Sequence, residues 1–580
     1  MSKVDFVVRI AGENGEGVLS VGDLLAQAMA RAGLNIYTFR NLPAEIKGGA
    51  SMVQVRISDG PIGAPGDAVD VLFAWNQENY EIHASQVREN GIILYDPDEC
   101  TPLPEVKQRH FPVPITEIAN SQLGERKTKN VVALSTLSGL CSLSEELVET
   151  IMQQRYGKRP KLMEMNIRAL QAGYEFARTN LPLDLYRVTG LRATDEQRMI
   201  VTGNEAICLG CIAAGLQYYA GYPITPATDI MEMLSKQLPR VGGVLIQTED
   251  EIAALCSCIG ASFAGRKSMT ATSGPGLSLM VEAMGLATMQ ETPLIIVDVQ
   301  RGGPSTGLPT KVEQSDLDLA VYGRHGDAPR IVFAPTTVED CFFGTVEAFN
   351  LAEKYQVPVI VLSDQHLSHR QEAISVPDVS SLEVIERTHP SAEDMEDYRR
   401  YKLTEDNISP VAIPGTHNAP WVATGLEHNE HAHIEYTQQM HVIMMDKRAA
   451  KVQLAADEPG SVRRFGNPQA RLGIIGWGSA EGPLREAVDR LASEGVEAQA
   501  LVSRLIFPVP EKPIQEFLDS VDEVVVIELN KSGQYANLIQ GTFGIKVHRF
   551  NKYDGLPFRA GEICQMIRSY THSKEGVLVS

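Results

Sequence analysis

The chain has 580 residues, with 52 basic against 73 acidic side chains, a formal net charge of -21, 43% hydrophobic residues and 48 glycines. That length holds roughly three or four average domains, which excludes a single small binding module. The composition is that of an acidic α/β protein rather than a disordered one, and the charge disfavours nucleic acid as a partner. Eight cysteines are too few for a secreted disulfide scaffold, and the opening MSKVDFVVRI has neither a basic start nor an apolar export core. A reducing cytoplasm is therefore the expected setting. No apolar run reaches the roughly 18 to 20 residues of a membrane span. The longest, PLIIVDV and VPVIVL, have the length of buried strands that need helices on both faces.

VDFVVRI is followed by AGENGEGV and then by Val18, Val21, Leu24, Leu25, Ala28 and Met29 at helical spacing, which reads as strand, tight glycine loop and helix. Gly12, Gly15 and Gly17 permit positive φ and let backbone amides approach an anion at the helix start. Their G-x-x-G-x-G order is not the dinucleotide fingerprint, no Lys-Ser/Thr follows, and Glu13 and Glu16 would repel a phosphate unless turned away. A plain tight turn explains the loop as well as a polar ligand does. Further strands are predicted at 51–57, at DVLFAW ending at Trp75, at GIILYD ending at Asp96 and at NVVALS ending at Ser135. Glu45, Lys47, Gly48 and Gly49 directly precede a strand, where a binding loop or a mobile surface loop is equally at home. Residues 182–196 mix turn formers with charge and are the expected linker, so a first α/β domain spans 1–190.

An Ala-rich helix over about 204–219 runs into AGYPITPATDI, where Pro223 and Pro226 stiffen the backbone around Ile224 and Thr225. VLIQTEDE then precedes an apolar helix, and TSGPGLSLMVEAMGLA places Ser273, Gly274 and Gly276 in a loop before another. The carboxylates of QTEDE alone suit an acidic helix start favoured by the helix dipole. Arg301 follows the buried strand PLIIVDVQ and precedes two glycines, where a guanidinium can meet a carboxylate through paired hydrogen bonds. A turn with a solvent-facing arginine fits the same residues.

Residues 331–364 repeat strand, helix and strand, completing a domain over 195–380. The connecting region, 381–465, is charged and clusters His428, His431, His433 and His441. Its H-x-x-H-x-H order lacks the i,i+4 arrangement of a zincin helix, so no metal site is expected, only a polar loop. A last domain, 466–580, opens near Ala470 with strand, a turn at Gly476 and Gly478, and helix. That turn suits an anion, though a structural role is expected, and 531–534 are expected to face a partner. Cys208 and Cys211, like Cys256 and Cys258, sit in apolar surroundings without a second pair at cluster-binding distance, and read as small buried hydrophobes.

In this order, GYPITPATD, QTEDEIAA, TSGPGLSLMVEAMGLA and RGGPSTGLPT resemble the alpha subunit of 2-oxoacid:ferredoxin oxidoreductases with a gamma-type domain fused to its N-terminus, over essentially the whole chain. The resemblance implies an α/β chain with a gamma-type Rossmann-like domain, a thiamine-fold pyrimidine-binding domain and a transketolase C-terminal-like domain. It also implies a thiamine diphosphate enzyme that oxidatively decarboxylates a 2-oxoacid to an acyl-coenzyme A and passes electrons to ferredoxin, some relatives running the reverse carboxylation of a reductive TCA cycle. By resemblance, Glu251, with Glu249 as the alternative, hydrogen-bonds the aminopyrimidine ring; Pro223, Thr225 and Gly274 adjoin the cofactor, Thr225 also reaching the reacting region. Arg301, with Thr306, Thr310, Lys311 and Ile224, is implied for the substrate, and this loop favours 2-oxoglutarate over pyruvate or a broad 2-oxoacid range. Gly12, Gly15, Gly17 and Lys47 are the candidate coenzyme A or anion loop. No GDG segment of the kind that binds magnesium and diphosphate occurs. The resemblance therefore implies that Mg2+ and a [4Fe-4S] cluster belong to a separate beta subunit, that this chain alone is inactive, and that the assembly is a dimer of alpha-beta pairs. A non-catalytic assembly subunit is the alternative of a different class, against which Glu251, Thr225 and Arg301 argue.

Overall fold

The computed structural model describes residues 4–43, 48–188 and 197–575, and the chain divides into two compact units. The first comprises 1–201, 369–376 and 559–562. Its eight-stranded sheet has Asp5–Glu13 near the middle, parallel to Val69–Ala74 and antiparallel to Ala50–Ser58. Val7, Val8 and Ile10 are buried, which is why this strand reads as a continuous apolar run rather than an alternation. Val87–Tyr95 and Arg109–Pro112 extend the parallel side, and Asn35–Asn41, Gln371–Ser375 and Arg198–Thr202 the other.

The strand expected at 130–135 is instead part of the α-helix Lys129–Leu140. Every residue of that helix but Asn130 is buried, so it has no polar face to reveal a helical period, and a short apolar run alone cannot distinguish helix from strand. It packs closely on the helix Pro160–Asn180, because a Cβ on Gly173 would stand 1.9 Å from Ser135 Oγ.

The second unit, 202–368, 377–558 and 563–580, holds two sheets. In the larger, Tyr218–Gly221, Ser268–Thr272, Leu294–Gln300, Pro358–Asp364 and Ile331–Phe333 run parallel. Val244–Gln247 forms one edge and the antiparallel Leu505–Phe507 the other. The helix expected to reach residue 219 stops at Ala213: Gly215 turns left-handed at φ 85, ending the helix before the strand Tyr218–Gly221.

The five-stranded sheet runs Val462–Gly466, Gln499–Ser503, Leu472–Trp477, Glu523–Glu528, His548–Asn551, so its first strand lies upstream of Ala470. Ile296 and Ile360 of the larger sheet share one hydrophobic cluster with Trp477, Leu501 and Val526 of the smaller. The connecting region contains a helix, Gln438–Gln453, that hydrophobic periodicity does not announce. Its buried face is Met444, Lys447, Arg448, Lys451 and Val452, at helical spacing but largely cationic. Lys447 and Lys451 both donate to the buried Glu291 carboxylate, at 2.6 Å to its Oε2. Among the described residues no helix is long and apolar enough to cross a membrane.

Candidate functional site

A cleft of about 960 Å³ opens beyond the C-terminal end of Leu294–Gln300, where parallel sheets place their ligands. Gly274, Pro275 and Ser278 form one wall at the start of the helix Gly274–Leu279. Residues 301–305 with Glu313, Ser315 and Asp316 form a second, and Asn530, Lys531, Ser532 and Tyr553, from the chain around the smaller sheet, a third.

Arg301 is 7% exposed, and its Nη1 donates to the Thr225 carbonyl at 2.5 Å. Burial lowers the guanidinium's pKa, opposed by the negative charges of Asp316 and Asp298. The segment after it is folded on itself: Leu308 N donates to Gly302 O at 2.8 Å and Gly302 N to Lys311 O at 3.1 Å. Gly307 has to be glycine here, at φ 52 and with a Cβ that would stand 2.1 Å from Gly302 O. Gln314 fastens the base of this hairpin. Its main-chain N donates to Leu529 O at 2.7 Å, its side-chain Nε2 to Trp477 O at 3.1 Å, and its Oε1 accepts from Leu529 N.

Glu251 is the first residue of the helix Glu251–Phe263, whose start is capped by Asp250 accepting from Ala253 N at 2.7 Å. It is buried, 6% exposed, whereas Glu249 is exposed. Its carboxylate makes no hydrogen bond or ion pair among the described residues, and it lies against Gly276, where a Cβ would stand 2.6 Å from Glu251 Oε1. A bare, buried acceptor of this kind suits a ring nitrogen that brings its own proton.

Of the other expected site residues, Gly274 lines the cleft and exposed Thr225 reaches it through the carbonyl that holds Arg301. Pro223 and Ile224 are half-buried in the same turn, Ile224 O accepting from Thr228 N at 3.0 Å. Thr306 is exposed, and Thr310 and Lys311 are half-buried, burial lowering the Lys311 ammonium's pKa. None of these three lines the cleft. In the first unit, Gly17 caps the helix Val18–Arg31 at φ 94, and a Cβ there would strike Asn130 Nδ2 at 1.8 Å, whereas a Cβ on Gly15 would meet no atom of the described residues within 4 Å. Gly12 packs on Val18 and Trp75, and Lys47 lies outside the described residues, as do 189–196 of the expected linker.

Sequence reading missed Asp298, Glu313 and Asp316, which line or adjoin the cleft, and of the residues expected to face a partner, Lys531 and Ser532 line the cleft together with Asn530. A lone Asp inside PLIIVDVQ is the signal that could have found Asp298, since a charge inside a buried strand needs a reason. The turn glycine Gly478, at φ 56, packs its α-carbon against Gln314, where a Cβ would stand 2.7 Å from Nε2. Cys208 and Cys211 are buried, with Cys208 Sγ toward Ile230 O at 3.6 Å and Cys211 Sγ toward Met269 Sδ at 3.2 Å. Burial pushes the thiol of Cys258 up to about 12, while Cys256 is exposed. His428 is buried against the Tyr401 ring, and His441 pairs with Glu427 at 2.6 Å. Among the described residues no three His, Cys, Asp or Glu side chains are grouped to hold a metal.

Three family models match the chain in succession: pyruvate ferredoxin/flavodoxin oxidoreductase over 7–176, the thiamine diphosphate-binding stretch of pyruvate flavodoxin/ferredoxin oxidoreductase over 209–447, and pyruvate:ferredoxin oxidoreductase core domain II over 470–560. The 2-oxoglutarate oxidoreductase subunit KorA of Mycobacterium tuberculosis is 34% identical over 97% of this chain and 91% of its own length. Subunit alpha of 2-oxoacid:ferredoxin oxidoreductase 2 from Aeropyrum pernix is 29% identical over 100% of this chain and 99% of its own. A solved 2-oxoglutarate:ferredoxin oxidoreductase from Magnetococcus marinus, with 2-oxoglutarate, coenzyme A and succinyl-CoA bound, matches with a TM-score of 0.94 and 42% identity over 98% of this chain and 100% of that chain. With the α/β architecture and relatives matched along nearly its whole length, the chain belongs to the 2-oxoacid:ferredoxin oxidoreductase family, as a subunit of the alpha type.

Proposed function

We propose that the chain forms the substrate and pyrimidine side of a 2-oxoglutarate:ferredoxin oxidoreductase. In that reaction 2-oxoglutarate, coenzyme A and two oxidised ferredoxins yield succinyl-CoA, CO2, a proton and two reduced ferredoxins. The observation that carries the reading is Arg301, a buried guanidinium anchored on Thr225 O and open to the cleft. Its fork can take a 2-oxoacid carboxylate through paired, charge-assisted hydrogen bonds. Thr306, Thr310 and Lys311 on the same hairpin, with Ile224, are its candidates for the rest of the substrate.

Glu251 fits thiamine diphosphate as a buried side chain whose carboxylate has no partner among the described residues, and Pro223, Thr225 and Gly274 would adjoin the group. When bound, thiamine diphosphate supplies the carbanion stabilisation that decarboxylation of a 2-oxoacid requires. Glu251 would hold a proton at a ring nitrogen, an interaction that offsets the cost of burying its charge. Mg2+ and a [4Fe-4S] cluster are assigned to a beta subunit. Exposed Tyr222, Val244, Ile246, Ile252 and Leu279, on the elements around Glu251, support such a partner covering this side. A dimer of alpha-beta pairs, a coenzyme A contact at the Gly12, Gly15, Gly17 and Lys47 loop, ferredoxin as acceptor and a cytoplasmic location complete the proposal.

The test is co-purification with the beta-type subunit, iron and thiamine analysis, and a 2-oxoacid panel with coenzyme A and a viologen acceptor. We expect the highest kcat/KM with 2-oxoglutarate. An equal or higher value with pyruvate overturns the substrate assignment, and a loaded but inactive complex supports an assembly role.

A further inference from the structure

Behind Arg301 sits a pair of carboxyls to which no donor group comes among the described residues. Asp298 is wholly buried, and among the described residues no N–H or hydroxyl donor reaches either of its carboxyl oxygens; Oδ2 of Asp316, a cleft residue, is buried in the same condition. The two side chains meet each other. Two groups that only accept cannot share a hydrogen bond unless one carries a proton. Little room exists to relieve the contact, because a Cβ on Gly274 would stand 2.7 Å from Asp316 Oδ1, and Asp316 N is already donated to Gln300 Oε1 at 3.1 Å.

The charged groups facing the pair are Arg301 and Glu313, and Lys531 is the remaining charge of the cleft. Burial holds the Asp298 carboxyl well above the usual range, so it keeps the first proton. Burial also raises Asp316 to about 6, against the opposing influence of its bond from Asp298 and of Arg301. At neutral pH the cleft therefore presents a negative Asp316 to any incoming anion. An anion bound beside a carboxylate raises that carboxylate's affinity for protons.

We propose that Asp298 and Asp316 are a proton-sharing positioning pair that takes up a second proton when an anionic substrate settles on Arg301, cancelling the charge that would repel it. This rests on the reading of Arg301 as a carboxylate ligand. Proton uptake on binding and tighter binding at lower pH are the same coupling seen from two sides.

The experiment measures the inhibition constant of glutarate, an unreactive dicarboxylate, against 2-oxoglutarate in the assembled complex from about pH 6 to 8, where glutarate is mostly doubly ionised and its residual protonation near pH 6 would only weaken binding. The constant should fall about threefold per pH unit on lowering pH toward 6, the linkage slope of roughly half a proton taken up. Asp316→Asn should abolish the slope while glutarate still competes. Asp298→Asn, whose amide is neutral like the protonated Asp298 but a weaker donor to the Asp316 anion, should keep the slope and move it to higher pH. Glu313→Gln should retain it. A pH-independent constant in the wild type, a slope unchanged in both Asp variants, or its loss in Glu313→Gln overturns the pair. Glutarate that fails to compete, or an Arg301→Gln variant with an unchanged constant, overturns the Arg301 reading instead, so the two failures are told apart.

Discussion

Glu251 and Gly276 show how a single contact ties local sequence to chemistry. The Glu251 side chain is packed against Gly276, yet its carboxylate oxygens make no bond among the described residues and keep some access to solvent. A carboxylate placed in this way suits a ligand that shares its charge. Glu251→Gln should therefore lower acyl-coenzyme A formation by about 10² to 10⁴-fold, the usual range for a positioned acid-base group, while the Tm of the complex stays level or rises. Unchanged activity would remove Glu251 from the mechanism. Gly276→Ala must displace either Thr272 or Glu251, since its Cβ would stand 2.1 Å from Thr272 Oγ1. We expect weaker thiamine retention and a lower Tm there, and no loss for Gly260→Ala, where a Cβ meets no atom of the described residues within 4 Å.

At the scale of elements, the helix Gln438–Gln453 is held by charge rather than by an apolar stripe. Burial alone would raise the Glu291 carboxyl's pKa, but Lys447, Lys451 and Arg400 more than reverse this and hold it below its ordinary 4.5. Glu291→Gln leaves buried ammonium groups without a counter-charge and should destabilise the chain by about 3–5 kcal/mol, read as a fall in unfolding midpoint. Because the folded carboxyl is the stronger acid, its contribution is present above pH 4.5 and is lost as pH falls below it. The wild-type Tm should drop on acidification below that point, and the Glu291→Gln variant should show less of the drop. The hairpin after Arg301 depends on Gln314 in the same way. Gln314→Ala removes two side-chain hydrogen bonds, to Trp477 O and Leu529 N, and should raise the KM for 2-oxoacid several-fold with a smaller change in kcat.

The helix read as a strand and the helix that sequence reading did not announce share one cause. Lys129–Leu140 is buried all round, and Gln438–Gln453 buries cations; in neither does polarity alternate at the helical period. The strands Asp5–Glu13 and Leu294–Gln300 were legible because an apolar run bounded by glycine or charge states its length directly.

At the scale of the molecule, a subunit of 580 residues with exposed apolar side chains flanking Glu251 is expected to work only with its partner. The purified chain alone should show no coenzyme A-dependent viologen reduction, and adding the beta-type subunit should restore it; activity without that subunit would contradict the assignment. By itself the sequence determined the α/β class, the family and the identity of Glu251, Gly274 and Arg301 as candidates, since strand length, turn glycines and motif order are local properties of the chain. Only the tertiary structure decided that Arg301 rests on Thr225, that Asp298 meets Asp316, and that residues 530–532 close the cleft. Those contacts join segments distant in sequence, where no spacing or period records the distance between two side chains, and burial against each other turns two ordinary aspartates into a pair that must share a proton.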